Sequence, residues 1–123
     1  MVLPPSPVAP RVIKTAKKER NQRELVDLHV HSTYSDGEKE VDELLELASA
    51  RKLRAISITD HDSIDAYFFA KEMADEKGIE LIPGLELSTV HKGRDIHLLG
   101  YLFDPTNLNL NLELKEQYKQ RRD

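Results

Sequence analysis

The chain has no cysteine among its 123 residues. That absence excludes disulfides, thiolate nucleophiles and cysteine-based zinc sites, and it fits a reducing cytoplasm. No apolar run approaches the roughly 20 residues that a membrane-crossing helix needs. The opening MVLPPSPVAPR lacks the apolar core of a secretory signal. Internal repeats are absent, and compositional bias is confined to prolines near the start.

What is present suits one small, polar, soluble domain: 39% hydrophobic and 33% charged residues. The net charge of −4 is unevenly spread. Residues 1–24 hold six basic side chains and two acidic ones, against twelve and twenty in the remainder. An acidic body makes a poor surface for duplex nucleic acid. An anionic substrate would need bound cations to supply positive charge. Pro4, Pro5, Pro7 and Pro10 forbid regular structure, so residues 1–22 are expected to be a disordered, Pro-rich and basic leader to a domain over 23–123.

From Leu25 the patterning changes. Leu25–His29 reads as a strand. Val41, Leu44, Leu45 and Ala48 recur at helical spacing. Ala55–Ile58 is a second strand. A helix follows, capped by Asp62 or Ser63, with Ile64, Tyr67, Phe68 and Met73 as its apolar surface and Gly78 at its C-terminal end. Ile79–Ile82 is expected to run on through Pro83 to Glu86 as a third strand. Ile96–Leu102 is a fourth, and a last helix begins near Leu110. Strands alternating with helices imply an α/β fold with mostly parallel strands and right-handed crossovers.

The polar residues at the strand ends carry the chemistry. His29 and His31 are two apart and share a face in extended chain. Asp60 and His61 close the second strand, and Glu86 closes the third. In α/β folds the carboxyl ends of strands form the active-site rim. Imidazoles and carboxylates gathered there suit Mn²⁺, Zn²⁺ or iron. Each residue alone has a plainer reading: a surface histidine, a helix-capping aspartate, an exposed edge glutamate. Their joint occurrence at three strand ends favours a metal site. Ser32 and Ser35 read as turn residues rather than nucleophiles, and His91, in HKGRD, as a solvated loop histidine.

DLHVHSTYSDG (27–37), ITDHDS (58–63) and PGLELS (83–88) resemble the first three motifs of the PHP (polymerase and histidinol phosphatase) phosphoesterases. The resemblance implies a distorted (β/α)7 barrel with two or three divalent ions, Mn²⁺ first, with Zn²⁺, Fe²⁺ or Mg²⁺ as alternatives. By motif match, His29, His31 and Glu86 would hold one ion, and Asp36 and His61 another. Glu86 would bridge, and His97 would lie near the ions. Asp60 would orient a ligand. These same residues, His29, His31, Asp36, His61 and Glu86, would carry catalysis.

The implied activity is hydrolysis of phosphate esters. The intact TYSDG and TDHDS resemble the stand-alone enzymes acting on nucleoside 3′,5′-bisphosphates and on 5′ ends of short oligonucleotides. The alternatives are a histidinol-phosphate phosphatase, a polymerase-associated PHP domain, or a non-catalytic metal-binding module. A barrel of this kind takes about 250 residues. The expectation is therefore an incomplete barrel, its first half, with an open edge able to self-associate.

Overall fold

The computed structural model describes residues 24–122; the expected leader over 1–22 lies outside the described residues. The elements run β1 (Leu25–Val30), α1 (Val41–Ala50), β2 (Leu53–Ile58), α2 (Asp65–Glu76), β3 (Glu80–Leu81), β4 (Gly84–His91), β5 (Arg94–Tyr101) and α3 (Leu108–Arg122). β1, β2 and β3 form a parallel sheet in that order, with Val26 opposite Ala55 and Ile56 opposite Leu81. β4 and β5 form an antiparallel hairpin. The hairpin joins the parallel sheet through a parallel bridge between His61 and Glu86. There Glu86 N donates to Asp60 O and Asp62 N donates to Glu86 O, both at 3.0 Å. None of the described helices is long and apolar enough to cross a membrane.

Helix α1 follows its periodicity. Val41, Leu44, Leu45 and Ala48 are all buried against the sheet. Its first turn is closed by Glu40 N donating to Glu43 Oε1 at 3.2 Å, half of a capping box. Helix α2 follows expectation in part: Ile64 is buried and Met73 packs against the core. Its core face is Ala66, Ala70 and Ala74, each 0–1% exposed, while Phe68 is 47% exposed. Small side chains at i, i+4 and i+8 let the helix backbone approach α1 and the sheet, and Phe68 and Phe69 are turned outward. Ser63 Oγ accepts from Asp65 N at 3.3 Å, whereas Asp62 is engaged elsewhere. Gly78 ends α2 as expected, at φ +69°, where glycine carries no side-chain clash.

The expected third strand, continuous from Ile79 to Glu86, is two strands. β3 stops after Leu81 because Pro83 has no N–H for the ladder. The chain then turns into β4 and leaves the parallel sheet. The polar HKGRD segment is the hairpin's reversal, with Lys92 and Gly93 both at positive φ (52° and 76°) as a two-residue hairpin turn requires. Helix α3 starts where Asn107 Oδ1 accepts from Leu110 N at 2.9 Å. It docks on β4 through a small cluster of Ile64, Leu85 and Leu114.

Apolar side chains stay exposed along β1 (Leu25, Val26, Leu28) and β5 (Ile96, Leu98, Leu99). β1 is an edge strand of the parallel sheet, and β5 pairs with β4 alone among the described strands.

Gly84 sets how closely β4 approaches β2. A Cβ at this position would lie 2.1 Å from Ser57 Oγ and 2.9 Å from Thr59 Cγ2. Gly84→Ala is expected to cost about 1–3 kcal/mol, as overpacking does. Ser57→Ala should restore part of it, because Ser57 Oγ is buried without a hydrogen-bond partner among the described residues and loses little on removal. Urea unfolding of the single and double variants measures the coupling. Strictly additive costs would mean that Ser57 is not the obstacle.

Candidate metal centre

The site lies where β1, β2 and β4 end or cross. His29 and His31 leave the end of β1, and both direct Nε2 at one oxygen of Glu86, Oε1, at 2.9 and 2.7 Å. On its other side His31 meets Asp36 through Nδ1, 2.6 Å from Oδ1. His61 Nε2 lies 3.2 Å from Asp36 Oδ2 and 4.0 Å from Glu86 Oε1. His97, on β5, places Nδ1 3.1 Å from Glu86 Oε2. The imidazole rings of His29, His31, His61 and His97 form a chain of edge contacts with centroids 5.3, 4.6 and 5.0 Å apart.

Thus all six residues expected to be ligands converge on one place. They form three overlapping donor groups: His29 with His31 and Glu86; His31 with Asp36 and His61; His61 with Glu86 and His97. Within each, the ligand atoms lie within 4.8 Å of one another.

Asp60 is fully buried. Its Oδ1 accepts from Ser32 N at 2.6 Å and from Ser35 Oγ at 2.7 Å, and its Oδ2 accepts from Ser32 Oγ at 2.6 Å. It therefore pins the loop that carries His31 and Asp36. Ser32 and Ser35 spend their hydroxyls on that anchor, in keeping with turn residues. His91 sits exposed at the end of β4, at the turn of the hairpin.

Electrostatics follow from this crowding. Burial by itself would raise the pKa of Glu86. Hydrogen bonds from His29 and His31 and the nearby charge of His61 outweigh it, and the carboxyl falls to about 2. For His31, burial opposes the charged form, but hydrogen bonds to Glu86 and Asp36 win and hold its pKa above 6.5. Asp36 is lowered: the burial penalty is overcome by the hydrogen bond from His31 and by the charges of His31 and His61.

Two imidazole nitrogens within 3 Å of one carboxylate oxygen both need a proton to make those contacts. A divalent cation among them would replace those protons with metal–ligand bonds. Imidazole and carboxylate donors of this kind fit Mn²⁺, Zn²⁺ or iron. A cavity of about 580 Å³, lined among others by His29, His31, Asp36 and Lys39, opens beside the cluster.

Several supporting residues had no signal in the sequence. Gln117, on α3, donates from Nε2 to Asp62 Oδ1 at 3.1 Å and to Ser88 O at 2.8 Å. Ser88 Oγ lies 3.2 Å from His61 Nδ1. Tyr101 donates its hydroxyl to Leu28 O at 2.5 Å, tying β5 to β1 beside His29. These partners are remote in sequence, and only the hairpin and the docking of α3 bring them together.

Comparison with known proteins points the same way. The sequence matches the PHP domain family over residues 27–121. A 5′-3′ exoribonuclease of Haemophilus influenzae is 43% identical over 91 residues, 74% of this chain and 33% of the relative. A 3′,5′-nucleoside bisphosphate phosphatase of Chromobacterium violaceum is 33% identical over 90 residues, 73% and 32% respectively. Among solved structures, an amidohydrolase from Chromobacterium violaceum, with bound sulfate and no metal, superposes with a TM-score of 0.74. That match has 32% identity and covers 78% of this chain and 34% of the other. The chain spans about a third of the length of the curated relatives it matches.

Proposed function

The chain belongs to the PHP domain family, and on that premise we propose that it supplies the metal-binding part of a phosphoesterase acting on nucleotides or short oligonucleotides. The observation that carries the reading is the convergence of four imidazoles on the buried carboxylate of Glu86. Relatives named for exoribonuclease and nucleoside bisphosphate phosphatase activity support a nucleotide-type substrate.

In this reading His29, His31 and Glu86 hold one divalent ion, with Mn²⁺ first and Zn²⁺, Fe²⁺ or Mg²⁺ as alternatives. Asp36 and His61 belong to a neighbouring position, and His97 with His61 and Glu86 to a third. Divalent ions in such a site neutralise phosphate charge and lower the pKa of a coordinated water. The protein's own residues do the rest. Glu86, shared by two donor groups, fixes their spacing. Asp60 holds the loop that presents His31 and Asp36. Lys39, which makes no ion pair among the described residues, adds positive charge at the cavity where phosphate would enter.

The test is phosphate release by the full-length protein from a nucleoside 3′,5′-bisphosphate, a 5′-phosphorylated oligonucleotide and histidinol phosphate. It is run with added Mn²⁺ and with chelator. Turnover of the nucleotide substrates that needs the metal supports the proposal. Preference for histidinol phosphate moves the substrate class, and metal content near zero with no turnover overturns the reading.

The titration of the cluster has a measurable consequence. Glu86 is depressed from 4.5 to about 2, so its contribution to stability is present above pH 4.5 and is lost as pH falls towards 2. His31 is raised above 6.5, so its contribution is present below pH 6.5 and is lost as pH rises through its folded pKa. The metal-free protein should therefore gain most from this cluster between pH 4.5 and 6.5. Metal binding needs the proton off His31, so affinity should rise with pH through this range and protons should be released. Calorimetric titration with Mn²⁺ in buffers of different ionisation enthalpy reads that release. Zero proton release near pH 6.5 would count against His31 as a ligand.

A further inference from the structure

We propose that the groove between α3 and the loops of the metal centre binds the base and sugar of a nucleotide, with Tyr34 as the stacking surface for the base. The inference rests on the phosphoesterase reading above and assigns a place to the part of the substrate beyond the phosphate held at the metal centre. The groove encloses about 670 Å³, within the range of roughly 300–1,000 Å³ common for small-molecule sites. Tyr34, Ser63 and Asp65 line one wall, and Lys115, Tyr118 and Lys119 the other.

Its position ties it to the chemistry. Tyr34 lies on the same pinned loop as His31 and Asp36. Its Cα is two chain steps, at most about 7.6 Å, from that of Asp36. Ser63 is two residues beyond His61. The opposite wall is fixed as well. Gln117 bonds to Asp62 and to Ser88 O, and Leu114 is buried against Ile64 and Leu85. The groove and the metal centre thus share the two loops that carry His31, Asp36 and His61.

The chemistry of the walls selects the occupant. Tyr34 is 39% exposed, and its ring is backed by Phe69 at 5.4 Å with 16° between planes. An exposed aromatic face held in place by a second ring is the surface on which nucleobases stack. Tyr118 offers a second partly exposed ring across the groove. Lys115 and Lys119 lie one turn apart on α3, are exposed, and form no ion pair among the described residues. They can meet a single phosphate. Asp65 and the Ser63 hydroxyl supply acceptors for amino and hydroxyl hydrogens. The mixed charge disfavours a run of phosphates and suits a largely neutral nucleoside with one phosphate at its end.

The test titrates full-length protein with adenosine 5′-monophosphate and, separately, with ribose 5-phosphate, which lacks the base. Tyr34→Ala is expected to weaken adenosine 5′-monophosphate about tenfold and leave ribose 5-phosphate unchanged. Tyr34→Phe should bind both as the wild type does, because stacking needs the ring and not the hydroxyl. In steady state Tyr34→Ala should raise KM for adenosine 3′,5′-bisphosphate with little change in kcat. Equal affinity of wild type and Tyr34→Ala for adenosine 5′-monophosphate overturns the inference, as does equal wild-type affinity for the two ligands. Absence of hydrolysis with metal present overturns the phosphoesterase reading instead, and the two titrations still decide the groove.

Discussion

Glu86→Gln in the full-length protein is expected to reduce bound metal and to lower kcat/KM by more than a hundredfold while the fold persists. Glu86 is 6% exposed. Its Oε1 faces His29 and His31 at 2.9 and 2.7 Å, and its Oε2 faces His97 at 3.1 Å. It belongs to two of the three donor groups, so two positions lose an anionic anchor together. Residues that merely support metal ligands typically cost about 10–100-fold when removed, and a carboxylate shared by two donor groups should exceed that. The amide keeps the shape but carries no charge, and one of its two polar atoms is a donor that cannot bind a cation. His91→Ala is the matched control, exposed at the hairpin turn, and should leave activity unchanged. Elemental analysis and steady-state rates on the two variants decide. Unchanged metal content in Glu86→Gln would place the centre elsewhere.

Asp60→Ala should be the most damaging substitution for stability among the residues around the site. The carboxylate is fully buried and accepts three hydrogen bonds of 2.6–2.7 Å, from Ser32 N, Ser32 Oγ and Ser35 Oγ. Hydrogen bonds to a charged group contribute about 1.5–3 kcal/mol each, and stranded buried donors add a desolvation cost. A total loss of about 3 kcal/mol or more is expected from urea unfolding, against about 1 kcal/mol for Ser35→Ala. Activity should fall as well, because the freed loop carries His31 and Asp36 and a small misplacement of ligands is costly. Asp60→Asn, which keeps one acceptor oxygen, should fall between. A stability near wild type for Asp60→Ala would show that the loop is held by something other than this anchor.

Much of this was legible along the chain. The paired histidines after a strand, the TDHD end of the next and the glutamate ending PGLE all point to one rim, because parallel strands finish on the same side of a sheet. The face of α1 was likewise written in the spacing of Val41, Leu44, Leu45 and Ala48. Other features were not. The aromatic residues of α2 look like a core face by hydrophobicity, yet Ala66, Ala70 and Ala74 are buried. Close helix packing rewards small side chains, and hydropathy alone does not register that. The hairpin was hidden because β4 continues past Glu86 into polar residues whose partners in β5 can be chosen only by pairing.

The amino-acid sequence by itself determined which residues could bind metal and that His29, His31 and His61 would stand at the ends of parallel strands, since strand periodicity and chain direction are local properties; Glu86, expected to end a strand, lies inside β4. Only the tertiary structure decided how they meet. His97 comes to Glu86 because β4 and β5 pair antiparallel, and His61 comes to Asp36 because its neighbour Asp60 accepts hydrogen bonds from Ser32 and Ser35, in the loop that ends in Asp36. Gln117 reaches Ser88 because α3 docks on β4. These contacts join residues 25 to 29 positions apart or depend on a hairpin register. Such long-range contacts arise from packing and pairing across the whole domain, for which no short stretch of sequence carries a signature.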